Sequence, residues 1–144
     1  MNALQTLDLT IGYRAARRAP VIVAERLNLT LEAGELVCLI GPNGVGKSTL
    51  LRTLAGLQPP LSGQALLGGE NLHHLSARDL ARRLSMVLTG RVEVGLLSAY
   101  ELVSLGRHPY TDWSGRLTDH DEAVVRWAIE AVGRCSWRGE PSVN

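Results

Sequence analysis

Cysteine, charge of one sign and long apolar runs are all scarce in this sequence, and each scarcity removes a class of function. Two cysteines, Cys38 and Cys135, leave no spacing for a disulfide framework or a thiolate metal site. Cys38 sits inside an apolar run and is expected to be a small core residue. Fifteen Lys and Arg against fourteen Asp and Glu give a formal charge of +1, so there is no electrostatic case for nucleic acid. The longest apolar runs, such as "LVCLI" at 36–40, fall far short of the roughly 18 residues that span a bilayer. The start, "MNALQTLDLT", has no basic segment followed by an apolar block, so no secretory leader is expected. Repeats and low-complexity tracts are absent, and His73, His74, His108 and His120 show no ligand spacing. The expectation is a cytosolic chain, peripheral to a membrane at most, and its 144 residues suffice for one domain with a real core.

The pattern along the chain is that of an α/β fold with a mixed sheet. Apolar residues alternate at Leu7, Leu9 and Ile11, and again at Leu27, Leu29 and Leu31, which predicts two antiparallel, solvent-facing strands. "AARRAP" at 15–20 is expected to be a loop between them. "LVCLI" and, later, "LSMVL" at 84–88 are apolar throughout and read as strands buried on both faces. A helix over about 47–56 would bury Leu50, Leu51 and Leu54 and end at Gly56. Three further helix starts carry Ser or Thr followed three positions on by an acid: Ser76 with Asp79, Ser98 with Glu101, and Thr118 with Asp121. The last opens a helix over about 119–132, with Val124, Trp127, Ala128 and Ala131 as its apolar stripe.

Between the first buried run and the first helix lies the sequence G-x-x-x-x-G-K-S, at 41–48. Its fixed positions would match by chance in roughly one chain in a few hundred of this size, and the strand–loop–helix context is what the chemistry demands. In Gly41, Pro42, Asn43, Gly44, Val45, Gly46, Lys47, Ser48 and Thr49 the glycines free backbone N–H groups to face an anion. The helix start adds about half a positive charge. Lys47 would reach the β- and γ-phosphates, Ser48 would ligate Mg²⁺, and Thr49 could donate to the α-phosphate. The expected ligand is therefore a nucleoside triphosphate with Mg²⁺. No Asn-Lys-x-Asp segment is present to read guanine. Arg82 and Arg83 form the only adjacent arginine pair after the loop, and they fit a helix surface better than a kinase lid.

"GPNGVGKSTLLRTLAGL" resembles the nucleotide-binding subunits of ABC transporters, and the resemblance extends over about residues 4–133. It implies a P-loop nucleotide-binding core with an N-terminal antiparallel β subdomain and the start of a helical subdomain from about 90. It further implies that Tyr13, in "TIGY", stacks on adenine, and that "PLSGQALLGGENL" at 60–72 is the glycine-rich turn and short strand after the phosphate-loop helix. "SAYELVSLGRHPYTDW" at 98–113 resembles the subgroup that powers uptake of iron–siderophore complexes, haem or cobalamin. There it implies a surface for a transmembrane permease, with Tyr100, Arg107, His108 and Tyr110 as partner contacts. The same resemblance implies a dimer of ATP-binding subunits on the cytoplasmic face of the membrane, and a periplasmic or surface binding protein that acts indirectly.

The sequence departs from the family in two places. Thr89, in "SMVLTG", stands where the family has a glutamine that reaches Mg²⁺, so Thr89 becomes a metal candidate through a bridging water. Beyond about 133 the family continues to an LSGGQ-like segment and an apolar strand ending in Asp-Glu, and neither is found here. Leu61-Ser62-Gly63-Gln64 lies too early, and Asp121-Glu122 follows "RLTDH" rather than an apolar strand. No catalytic residue is therefore assigned. "RCSWRGEPSVN" at 134–144 reads as an aberrant tail from a frameshift or an imperfect gene model, with a genuine short tail as the alternative. The expectation is the N-terminal half of an importer ATPase that binds Mg–ATP without the hydrolytic residues. A non-catalytic nucleotide-binding module and an inert truncated fragment stand as alternatives.

Overall fold

A computed structural model describes residues 2–16, 18–87 and 95–132, in two compact units that divide between Met86 and Val87. The first unit is built on one long strand, β1 (Asn2–Ala15), with β2 (Arg18–Leu27) and β3 (Thr30–Glu32) following each other along one of its edges. β4 (Ser62–Leu67) takes the opposite edge and pairs in turn with the short β5 (Glu70–Asn71). Every pairing among the described residues is antiparallel.

The change from β2 to β3 happens at a bend in β1. Asp8 and Arg26 take positive φ, 45° and 51°, and the register of β1 against β2 slips between Leu9 and Ile11. Asp8 N–H donates to Asn28 Oδ1 (2.9 Å) and Asn28 Nδ2 donates back to Asp8 Oδ1 (3.0 Å), so the bulged backbone finds partners outside the ladder. Thr6 closes the same gap from the buried side. Its hydroxyl donates to the Leu27 carbonyl (2.8 Å) and accepts from Leu29 N–H (2.9 Å), while its own N–H donates to the Leu29 carbonyl (2.9 Å).

Helix α1 (Lys47–Leu54) lies on this sheet and brings Leu50 to Leu9, Ile11, Ala65 and Leu72, which form the core. Burying each leucine or isoleucine there contributes about 1.5–3 kcal/mol. Gly56 ends the helix as its sequence predicts. Its φ is +73°, and the N–H groups of Gly56 and Leu57 return to the carbonyls of Thr53 (3.1 Å) and Arg52 (2.9 Å). The turn from β4 to β5 is Gly68-Gly69, both at positive φ, the geometry of a two-residue hairpin. Helix α2 (Ala77–Arg83) starts at Ser76, whose hydroxyl oxygen accepts from Asp79 N–H at 3.0 Å.

Several expectations are corrected. Residues 36–40 are not a buried strand: they form no regular element, with Leu36 93% and Ile40 89% exposed. A strand buried on both faces needs a neighbour on either side, and none of the described strands pairs with this segment. Cys38 is accordingly exposed rather than in the core. Residues 84–87 are also without regular structure, and Leu88 lies outside the described residues. The loop expected at 15–20 is instead a tight hairpin in which Ala15 pairs with Arg18. Pro20 is tolerated because β2 is an edge strand. On α1 the buried face is Thr49, Leu50 and Thr53, which leaves Leu51 exposed.

The second unit packs α3 (Ala99–Ser104) against α4 (Asp119–Val132), with a 3-10 turn (Leu105–Tyr110) directly after α3. Ser98 and Glu101 form a full capping box at the start of α3. Thr118 and Asp121 do the same work at α4, where Thr118 N–H donates to Asp121 Oδ2 (3.0 Å) and Asp121 N–H to Thr118 Oγ1 (3.3 Å). The buried residues of α4 are Asp121 and Val125, one position on from the stripe read in the sequence, and Trp127 is 68% exposed.

Thr6→Val keeps the shape of a buried side chain but strands the Leu27 carbonyl and the Leu29 N–H. Urea unfolding of the full chain is expected to show a loss of about 1–2 kcal/mol, and an unchanged midpoint would remove Thr6 as the joint between β2 and β3.

Candidate nucleotide-binding site

The site is the loop that feeds α1, held from below by β1 and β2. Gly44 and Gly46 take φ of 83° and 105°, which L-residues resist. Gly46 is fixed for a second reason: a Cβ there would run into Val23 Cγ1 on β2. Gly46 is also the N-cap of α1 and offers no side-chain acceptor, and the first helical turn has no acid. The N–H groups and positive dipole end of an eight-residue helix are therefore directed at whatever the loop surrounds. Lys47 Nζ donates to the carbonyls of Gly41 (2.7 Å) and Pro42 (2.8 Å), so the ammonium closes the loop on itself.

The residues named from the sequence fall into two groups. Gly41, Pro42, Asn43, Gly44 and Val45 form the exposed rim, and Ser48 is exposed at the start of α1. Thr49 instead turns inward, at 4% exposure, and its hydroxyl shares a 2.8 Å hydrogen bond with the Tyr13 hydroxyl. Tyr13 itself is 46% exposed. Its backbone is set by pairing with Val21 and by the neighbouring Gly12 carbonyl, which accepts from Gln58 Nε2. Thr89 lies outside the described residues. Val23 and Gln58 were not anticipated. The alternation of Val21 and Val23 is a signal that could have placed Val23 on one face, whereas nothing in the sequence marks Gln58.

The donor set suits an anion with several oxygens. Among the described residues no group of three or more His, Cys, Asp or Glu could hold a metal ion. A divalent cation at the Ser48 hydroxyl would thus draw its other ligands from phosphate oxygens and water, the ordinary situation for Mg²⁺.

In the second unit, the segment 98–113 has a charged anchor. Arg107 Nη2 and Nε reach Asp121 Oδ1 at 2.6 and 2.8 Å, and the guanidinium lies 4.0 Å from the centroid of the Tyr110 ring. Arg107 is only 16% exposed, so its charge is taken up inside the unit, while Tyr100, His108 and Tyr110 remain on the surface. Hydrogen bonds from the Thr118 hydroxyl and N–H, and then the Arg107 guanidinium, hold the Asp121 carboxyl down to about 2. Asp121 is thus a helix cap and an ion-pair partner on α4, not the end of a strand.

A glycine loop opening an uncapped helix, on an antiparallel sheet that presents a tyrosine, defines a P-loop protein of the ABC type. The sequence pattern of the ABC transporter family matches residues 24–141. An uncharacterized ABC transporter ATP-binding protein of Methanocaldococcus jannaschii is 43% identical over 129 residues, covering 90% of this chain and 43% of that protein. The iron(3+)-hydroxamate import ATP-binding protein FhuC of Bacillus subtilis is 35% identical, covering 98% of this chain and 51% of its own length. Among solved structures, an ATP-binding subunit of an ABC transporter is 28% identical with a TM-score of 0.66, over 82% of this chain and 45% of that one. A dimeric bacterial ABC transporter cassette shares the fold at a TM-score of 0.73 and 22% identity, over 94% of this chain and 59% of the other. The chain belongs to the ABC transporter family and covers the N-terminal part of its ATP-binding subunits. It spans about half the length of the curated relatives it matches.

The Asp121 anchor carries a pH signature. Its native pKa of about 2 lies below the ordinary value of 3.8, so its contribution to stability is complete above about pH 4 and is lost as the pH falls through about 2. Amide protection factors on α4, taken relative to the intrinsic exchange rate at each pH, should fall across that window in the wild type and stay flat in Asp121→Asn. The same fall in Asp121→Asn would show that another group controls it.

Proposed function

We propose that this chain binds Mg–ATP at the loop 41–49, as the nucleotide-binding part of an ABC importer subunit for iron–siderophore complexes, haem or cobalamin. The observation that carries the proposal is the Lys47 cradle at the uncapped start of α1. Loop N–H groups and Lys47 would hold the β- and γ-phosphates, the Ser48 hydroxyl would ligate Mg²⁺, and the exposed Tyr13 ring would carry the adenine. When bound, the metal would balance phosphate charge, while this chain's residues orient the nucleotide. The import reading is supported by the names of relatives, FhuC and the ferric enterobactin transport protein FepC of Escherichia coli, 38% identical.

In this reading the surface 98–113 meets a transmembrane permease on the cytoplasmic face, and a second ATP-binding subunit completes the site across a dimer. The extracytoplasmic binding protein acts only through the permease. Exposed Tyr100, Tyr110 and Trp113 supply that surface with aromatic contact area, while Arg107 keeps its shape from within. No helix among the described residues is long and apolar enough to cross a membrane, which suits a subunit that docks onto one.

For the chain itself we read binding without turnover, since its Asp-Glu pair caps α4 and Asp121 is bonded to Arg107. Calorimetry with Mg–ATP on the full chain tests both parts. Saturable binding is expected, with Lys47→Ala weakening it about 10- to 100-fold, as loss of hydrogen bonds to a charged group implies. Equal affinity in Lys47→Ala would refute the phosphate-loop assignment, and steady phosphate release by pure wild-type chain would refute binding without turnover.

A further inference from the structure

Thr49 occupies an unexpected place for a residue of the phosphate loop. It belongs to the core-facing side of α1 together with Leu50 and Thr53, and it is 4% exposed, whereas its neighbour Ser48 faces solvent. Its carbonyl accepts from the Thr53 hydroxyl at 2.9 Å, a bond that keeps this face of the helix turned to the sheet. Its hydroxyl meets the Tyr13 hydroxyl at 2.8 Å, across 36 residues of sequence.

The tyrosine is consequently tied at both ends. At its backbone it pairs with Val21, and the preceding Gly12 carbonyl is held by Gln58 Nε2. A Cβ at position 12 would run into the Val21 carbonyl, so β1 and β2 approach closely just where the ring departs. At its tip the phenol is tied to α1 through Thr49. A tyrosine has two side-chain torsions, and fixing the oxygen as well as the Cα leaves the ring little freedom. A surface so restrained carries its ordering cost before any ligand arrives, and flat aromatic faces of this kind stack on bases.

We infer that Thr49 is a positioning residue for the base platform: its hydroxyl fixes the Tyr13 ring through the Tyr13–Thr49 hydrogen bond. The inference rests on the ATP-binding reading and deepens it, by linking the second hydroxyl of the loop to the base as well as to the phosphates. It also makes a distinction among ligands. Loss of the Tyr13 hydroxyl, which breaks the same bond from the other side, should weaken binding of a ligand with a base and leave a bare polyphosphate almost unaffected.

The test uses the full chain as wild type, Tyr13→Phe, Thr49→Val, Thr49→Ser and the Tyr13→Phe/Thr49→Val double variant. Each is titrated with Mg–ATP and with Mg–tripolyphosphate. Thr49→Val and Tyr13→Phe should each lower ATP affinity about 5- to 20-fold, the range set by partial loss of base stacking, and Tyr13→Phe should change tripolyphosphate affinity less than twofold. Thr49→Ser, which keeps the hydroxyl, should restore ATP affinity, and the double variant should be no worse than Thr49→Val. A second readout needs no nucleotide: thermal midpoints of the same variants should be non-additive, because one bond is removed twice. Additive midpoints would overturn the inference, as would a Tyr13→Phe variant that loses tripolyphosphate as strongly as ATP. If the wild-type chain takes up neither ligand, the phosphate-loop reading falls and this inference falls with it. Tripolyphosphate binding with unchanged ATP affinity in Thr49→Val would overturn only the role of Thr49.

Discussion

Strand β1 is hydrogen-bonded along both edges, and everything around the glycine loop takes its position from it. One edge carries β2 and β3, the other β4. Its inward residues Leu9 and Ile11 are the floor on which Leu50 of α1 rests. Its far end delivers Gly12 and Tyr13 to Gln58 and Thr49, residues on the two sides of the end of α1. The strand runs through all this only because it bends at Asp8, where the Asp8–Asn28 exchange and the Thr6 hydroxyl replace the missing ladder. Without that bend, β2 and β3 would have to be one straight strand. Val23 would then lose the registration that seats it beneath Gly46.

How far the sequence reveals this depends on whether a feature is local. The three helix starts were legible because a Ser or Thr and an acid three positions later satisfy each other within one turn, whatever surrounds them. Gly56 was legible for the same reason, since glycine adopts positive φ without help from its surroundings. The glycine loop was too, but the bonds from Lys47 to the Gly41 and Pro42 carbonyls were not, since no sequence pattern marks which carbonyls a long cation will meet. The strand expected at 36–40 was not realised, because apolarity states a demand for burial without supplying the neighbour that meets it. The stripe on α4 was displaced by one residue, about 100° around the helix. The carboxylate of Asp121 is drawn to Arg107, and Val125 follows it inward while Trp127 is left outside. Sequence periodicity counts apolar residues and has no way to weigh a charged one that finds its partner.

The two units use charge in different ways. In the second, Arg107 and Asp121 neutralise each other where they join the 3-10 turn to α4. In the first, the helix start has no acid and no side-chain cap, so its partial positive charge is left for a ligand. The exposed apolar run at 36–40 leads straight into the loop.

The Lys47 bonds to Gly41 and Pro42 also bear on encounter with a ligand. An ammonium has three protons, and two are already given to carbonyls of its own loop. The side-chain entropy of a long cation, about 2 kcal/mol, is therefore surrendered during folding instead of at encounter. What remains is one ammonium proton at the start of α1, so any anion that enters would meet a donor whose position is already set.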